Sequence, residues 1–336
     1  MKITAQSPCR VDLAGGTLDI WPLYLFHANA VTVNFAVDRY TSCELTTRDD
    51  SAIILRSADQ KGEERFSSLD ELLSAKKYKL PLLAWVVRYF KPKTGIELNT
   101  NSEAPAGAGI SGSSALIISI SSALNKLVAT GFNIEKIREV SQNIEAQIIR
   151  VPTGCQDYYP AMYGGVSAIE LTEAGIIRKE IPVDLADFNS RVVLVYTGKP
   201  RNSGINNWEV TKAHINGDKQ VHKNFERIAA ISFAMRGALE KSDWPEVARL
   251  IREEWSHRRK NAPGITTELI DRLMDVTKKA GAKAGKVCGA GGGGCVLLLV
   301  EPGAKDAVVR AVEAEGAQVL PVSVAPRGVR VRTVAG

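Results

Sequence analysis

The chain has 336 residues, 45% of them hydrophobic and 24% charged, with a formal net charge of +6. This is the composition of a globular protein long enough for two domains of ordinary size. No apolar run approaches the ~20 residues needed to cross a bilayer, and no apolar signal segment follows the opening "MKITAQSPCRVDL", so a cytoplasmic location without a membrane partner is expected.

In chain order, "KITAQSPCRVDLAGG", "NAVTVNFAVDRYTSCELTTRD" and "SAIILRSAD" carry the alternation and β-branching of strands. "LPLLAWVVRYF" reads as a buried helix and "TGIELNT" as a strand. A helix over roughly 112–129 follows a glycine turn, and a second starts after Asn133, a good N-cap, with Ile137, Ser141, Ile144 and Ile148 on its inner face. "GGVSAIEL" and "GIIRKEIPV" form a strand pair near 165–183, and "RVVLVYTG" opens a region dominated by helices over about 204–281. Strands return with "GKVCGA", "GCVLLLVEP" and "AQVLPVSVA", the last two separated by a helix from about 303. The pattern places a boundary near 185.

Charge and cysteine usage exclude several classes of function. Positive residues are spread along the chain, and the densest patch, "RLIREEWSHRRK" at 249–260, is interleaved with Glu253 and Glu254, as on a solvated helix face. A basic stripe with stacking aromatics is absent, so nucleic acid is not expected as a partner. The mild positive balance suits a small phosphate-bearing substrate. The five cysteines are scattered and the four histidines do not cluster with them in sequence, which indicates neither a disulfide framework nor a zinc site.

Three glycine clusters carry the functional signal. The stretch "EAPAGAGISGSSALIIS" at 103–119 runs a glycine and serine turn directly into a buried-type helix. A helix start offers unpaired N–H groups and partial positive charge, and glycines let phosphate oxygens approach the backbone. By itself such a turn is open to a second reading, a flexible surface loop, and no Gly-Lys-Ser/Thr of a Walker loop follows. The others are "RVDLAGGTLD" at 10–19 and "VCGAGGGGCVLLLV" at 287–300, the latter with more glycine than a two-residue hairpin needs.

Taken together and in order, "SPCRVDLAGGTLD", "PAGAGISGSSA" and "GAGGGGC" resemble the three signature motifs of the GHMP kinase superfamily, across nearly the whole chain. The resemblance implies an α+β, two-domain fold: residues 1–185 related to a ribosomal-protein domain and holding the ATP and catalytic residues, and residues 186–336 ferredoxin-like, with the substrate side and the third glycine motif. It implies ATP-dependent phosphorylation of a small-molecule hydroxyl with Mg2+. Pro105, Gly107, Ala108, Gly109, Ser111, Gly112, Ser113 and Ser114 would cradle ATP. Ser113 and Glu145 would hold magnesium, with Ser114 able to share that role. Asp157, in "TGCQDYYPAMYGG", would accept the hydroxyl proton, and Arg10 would pair with it and stabilise the transferring phosphoryl group.

For the acceptor, "AGGTLD", "QDYYPAMYGG", "YTGKPRNS" and "EEWSHRRK" are similar to segments of the heptose kinases that act on the anomeric hydroxyl of D-glycero-D-manno-heptose 7-phosphate. Thr17, Leu18 and Trp21 depart from that pattern. On this reading Gly16, Asp19, Gly291 and Gly292 would contact the sugar, and Arg201, with Lys199 and Ser203, its distal phosphate. Other activities of the superfamily remain alternatives: a galactose- or fucose-type kinase, a mevalonate-pathway kinase or decarboxylase, or a non-catalytic sugar sensor. The sequence leaves a homodimer open.

Overall fold

The computed structural model describes residues 1–200 and 203–334, with the backbone alone for 203–206. Twelve strands are described: β1 (Lys2–Ala14), β2 (Val31–Thr47), β3 (Ile53–Ser57), β4 (Gly62–Phe66), β5 (Ile96–Ser102), β6 (Val166–Thr172), β7 (Gly175–Glu180), β8 (Val192–Tyr196), β9 (Ala282–Val287), β10 (Cys295–Val300), β11 (Gln318–Leu320) and β12 (Arg330–Val334). The α-helices are α1 (Leu69–Ser74), α2 (Pro81–Phe90), α3 (Gly112–Val128), α4 (Ile134–Ile149), α5 (Tyr158–Tyr163), α6 (Leu185–Arg191), α7 (Ser203–Ile215), α8 (Lys219–Glu240), α9 (Trp244–Arg258), α10 (Glu268–Lys279) and α11 (Lys305–Ala314).

The first sheet runs β12-β1-β2-β5-β3-β4, and β2 also pairs with β6, which carries β7. The 17-residue β2 serves two neighbours because its ends diverge: Val31–Phe35 pair with β6 and Thr41–Thr47 with β5. Helix α3 lies on this sheet with Ala115 to Leu124 buried throughout. Two of its buried serines bond to neighbouring elements: Ser119 Oγ donates to Ser7 Oγ at 2.9 Å and Ser121 Oγ accepts from Ser141 Oγ at 3.1 Å. Asn133 caps α4 as its side chain implies, accepting from the Lys136 N–H.

The second sheet, β11-β8-β10-β9, is antiparallel throughout. Its strand order and the α11 crossover give the ferredoxin-like arrangement, with α7 to α10 inserted after the first strand. The α+β class is therefore correct. The chain's end departs from a division at 185: β12 leaves the second half and pairs antiparallel with β1. Five short elements carried no clear pattern in the sequence, namely β4, α1, α5, α6 and β12. None of the described helices is long and apolar enough to cross a membrane.

Candidate active site

A cavity of about 760 Å³ opens between the two halves, with walls from the segment after β1, the 102–114 loop, the N-terminal end of α5, and Arg258, Gly289 and Ala290. The loop before α3 is shaped by backbone that favours glycine. Gly107 and Gly109 have φ of 66° and 75°, and Ser111, the N-cap, takes φ 60° in the left-handed region. The Ser111 hydroxyl is buried and has no hydrogen-bond partner. Beside it the first N–H groups of α3 lack helical acceptors. An unsatisfied hydroxyl and free N–H groups at the start of a 17-residue helix fit the phosphates of ATP.

Behind the loop, Glu145 of α4 accepts from Ser113 Oγ at 2.6 Å, Ser114 Oγ at 3.0 Å and Tyr158 Oη at 2.5 Å. Burial pushes the Glu145 carboxyl up from its ordinary range, against the pull of these hydroxyl hydrogen bonds. Hard oxygen donors with one carboxyl group are what Mg2+ takes, alongside phosphate oxygens and water. The residues present therefore fit that ion, with both Ser113 and Ser114 hydrogen-bonded to the carboxyl group and Ser113 the nearer.

Arg10 and Asp157 meet on the cavity floor. Arg10 Nε and Nη2 both donate to Asp157 Oδ1, at 2.8 and 2.5 Å, while Nη1 donates to Asp12 Oδ1 and to the Gly109 carbonyl, each at 3.2 Å. Burial works against the charged guanidinium, but Asp157 and Asp12 outweigh it and hold its pKa above the ordinary value. Arg10 is buried whereas the Asp157 side chain is 27% exposed to the cavity. Asp157 thus presents a fixed carboxyl group to anything bound there, and Arg10 a permanent positive charge.

Asp19 also lines the cavity, beside Gln156. Its Oδ2 accepts from the Gln156 backbone N–H at 2.9 Å and its Oδ1 from Gln156 Nε2 at 3.2 Å. Burial, reinforced by the nearby Asp157, raises its pKa to about 6. The chain admits this carboxyl group only because residue 154 is glycine: a Cβ there would stand 1.9 Å from Asp19 Oδ2. Gly16 is also constrained, since a Cβ would sit 2.8 Å from Arg258 Nη2.

The third glycine motif contributes differently from the expectation. Gly289 and Ala290 line the cavity. Gly291 and Gly292 instead turn to Ile265, whose carbonyl would stand 2.5 Å from a Cβ on Gly291 and accepts from the Gly292 N–H. Gly294 packs against the Ala108 carbonyl, and the Cys295 N–H donates to that carbonyl at 2.7 Å. The glycines thus dock the third motif onto the phosphate loop. Arg201 lies outside the described residues, as does the side chain of Ser203. Lys199 is exposed, with its carbonyl accepting from the Gly294 N–H.

Sequence reading missed a buried charge cluster beneath the cavity. Lys286 Nζ donates to Asp12 Oδ2 at 2.6 Å and to Glu254 Oε1 at 3.3 Å. Arg258 donates to Glu254 Oε1 through Nε and Nη2 at 2.7 and 2.5 Å, to the Gly16 carbonyl at 2.8 Å and to that of Gly289 at 3.4 Å. The solvated-face reading of 249–260 holds for Arg249, which pairs with Glu246 and Glu253, but Glu254 and Arg258 are buried. Burial alone would raise the Asp12 pKa; Lys286, Arg10 and Arg258 outweigh it and hold the carboxyl well below the usual range. Spacing of four residues puts Glu254 and Arg258 on one helix face, the one signal that could have found them.

The site and the two-sheet fold define a class of protein. The GHMP kinases N terminal domain model matches residues 80–165 and the GHMP kinases C terminal model matches residues 235–318, together just over half the chain. The chain belongs to the GHMP kinase family. Among its relatives, the D-glycero-alpha-D-manno-heptose 7-phosphate kinase of Campylobacter jejuni is 26% identical over 98% of both chains. A crystal structure of a D-glycero-D-manno-heptose 1-phosphate kinase from Bacteroides thetaiotaomicron superposes with a TM-score of 0.80 at 22% identity, covering 99% of this chain and all of that one. Lactococcus lactis galactokinase in complex with galactose gives a TM-score of 0.81 at 20% identity, covering 98% of this chain and 95% of that one.

Proposed function

We propose that the protein transfers the γ-phosphoryl group of ATP to the anomeric hydroxyl of a sugar, with D-glycero-D-manno-heptose 7-phosphate as the preferred acceptor. The observation that carries the reading is the convergence of the Arg10–Asp157 pair, the phosphate-type loop and the buried Asp19 on one cavity. Asp157 accepts the proton of the attacking hydroxyl. Arg10 keeps the Asp157 side chain in place and stabilises charge that develops on the phosphoryl oxygens. Ser111 and the N–H groups that open α3 hold the nucleotide phosphates. Ser113, Ser114 and Glu145 hold magnesium, which when bound neutralises charge on the phosphate oxygens.

Asp19 supports a polyhydroxylated acceptor, because a carboxylate can accept from two sugar hydroxyls at once. The heptose assignment draws on the full-length similarity to the Campylobacter jejuni enzyme. A screen of ADP release over D-glycero-D-manno-heptose 7-phosphate, free hexoses, fucose, mevalonate and homoserine tests it. The highest kcat/KM is expected for the heptose phosphate. Preference for an unphosphorylated sugar would discard the heptose phosphate and leave the sugar kinase. Preference for mevalonate or homoserine would discard the sugar as well.

A further inference from the structure

Three of the four histidines, His214 and His222 with the sequence-distant His27, meet at a place the phosphoryl-transfer chemistry does not use. Helices α7 and α8 form a hairpin through Asn216, Gly217 and Asp218, the last being the N-cap of α8. His214 lies in the last turn of α7 and His222 in the first turn of α8, so the hairpin stacks their rings with centroids 3.9 Å apart. His27 follows the short 3-10 helix Leu23–Phe26 and brings its Nε2 within 2.7 Å of His214 Nε2. One candidate ligand nitrogen from each of the three lies within 4.8 Å of the others. None of them lines the active-site cavity.

We propose that His27, His214 and His222 form a binding site for one divalent transition-metal ion of the zinc, cobalt and nickel type. Two observations carry this. First, His27 and His214 are deeply buried, at 6% and 1% exposure, and their Nε2 atoms face each other 2.7 Å apart. Only one N–H fits between the two nitrogens, whereas an ion between the rings would take a lone pair from each. Second, His222 Nε2 lies 3.0 Å from the His214 carbonyl. A donor to that carbonyl leaves Nδ1 of His222 as the lone-pair nitrogen, the outer-sphere arrangement typical of metal-binding histidines.

The half-buried His222 gives an ion access from solvent. Ligand nitrogens on a tetrahedral zinc-type ion stand about 3.3 Å apart, from bonds of about 2.0–2.1 Å. Binding would therefore push His27 and His214 apart by a few tenths of an ångström and draw His222 inwards, with water as the fourth ligand. Neutral nitrogen donors also select against magnesium, which prefers oxygen. The ion would tie the segment that follows Asp19 to the α7–α8 hairpin.

The test uses the full-length, untagged protein, freed of metal by chelation and desalted, without nucleotide. Titration with Co2+ should give visible absorption bands of a four-coordinate ion that saturate at one equivalent. Zn2+ should displace them and raise the thermal midpoint, while the same concentration of Mg2+ should do neither. His214→Gln and His222→Gln should each weaken Co2+ binding by at least about tenfold, and His257→Gln should leave it unchanged. Because His222 is half-buried, its variant keeps the test decisive if His214→Gln fails to fold. Absence of a saturable Co2+ spectrum, or an unchanged titration in His222→Gln, would overturn the proposal.

Discussion

Asp19→Asn is expected to make the protein more stable at neutral pH while impairing its use of the acceptor. The Asp19 carboxyl has a pKa raised to about 6 by burial, then by Asp157, against about 3.9 in an unfolded chain. A group with a raised folded-state pKa contributes stability that is full below pH ~4 and is lost as the pH rises through about 6. Above that, the native protein bears the cost of a buried charge, up to about 3 kcal/mol for a shift of about two units at 1.36 kcal/mol each. The amide is isosteric and neutral, and its oxygen can still accept the Gln156 N–H. Its NH2 group can donate to Gln156 Oε1, which has no partner in the native site, once the Gln156 amide flips. Part of the ~3 kcal/mol should therefore be recovered, an increase in Tm of about 2–6 °C at pH 8 for a chain of this size. The assay is thermal unfolding by circular dichroism from pH 4 to pH 8.5. The difference between variant and native protein should be near zero at pH 4, grow through pH 6 and level off above pH 7. A difference independent of pH, or a variant less stable at pH 8, would refute the reasoning. Steady-state kinetics on the same variant should show a raised KM for the acceptor and an unchanged KM for ATP.

Other outcomes follow from the same geometry. Asp157→Asn should lower kcat by about 10²-fold or more with nucleotide affinity nearly unchanged; turnover close to the native value would remove Asp157 from the mechanism. Ser113→Ala and Glu145→Gln should each raise the magnesium concentration for half-maximal turnover, and titrations that overlay the native curve would move the metal elsewhere. Lys286→Met should cost about 3–5 kcal/mol, because it takes from buried Asp12 and Glu254 a shared cation and leaves them only Arg10 and Arg258. Asp12→Asn should relieve part of that loss, and coupling within about 0.5 kcal/mol of additivity would show that the two do not act as a pair.

The parts of this protein that sequence determines are those whose physics is local. Gly107 and Gly109 stand where the chain needs positive φ, and the helix after them carries only apolar residues and serines from Ser114 to Leu124, where it is buried all round. Asn133 caps α4 through its own side chain. Alternation marks most of β1 and β2, and the glycine motifs with the "TGCQDYYPAMYGG" segment point to Arg10, the 105–114 loop and Asp157, which line one cavity. Elements without periodicity escaped. Arg330–Val334 is exposed along its length and is a strand only because β1 offers it an edge. Charge and metal-type clusters escaped for a different reason. Whether Lys286 is solvated or fully buried depends on Asp12, 274 positions away, and on Glu254. Likewise His27 meets His214 only because the α7–α8 hairpin packs against the segment after β1. A side chain's charge is written in the sequence, but its cost or benefit is set by which distant partner shares its burial, and only tertiary structure decides that.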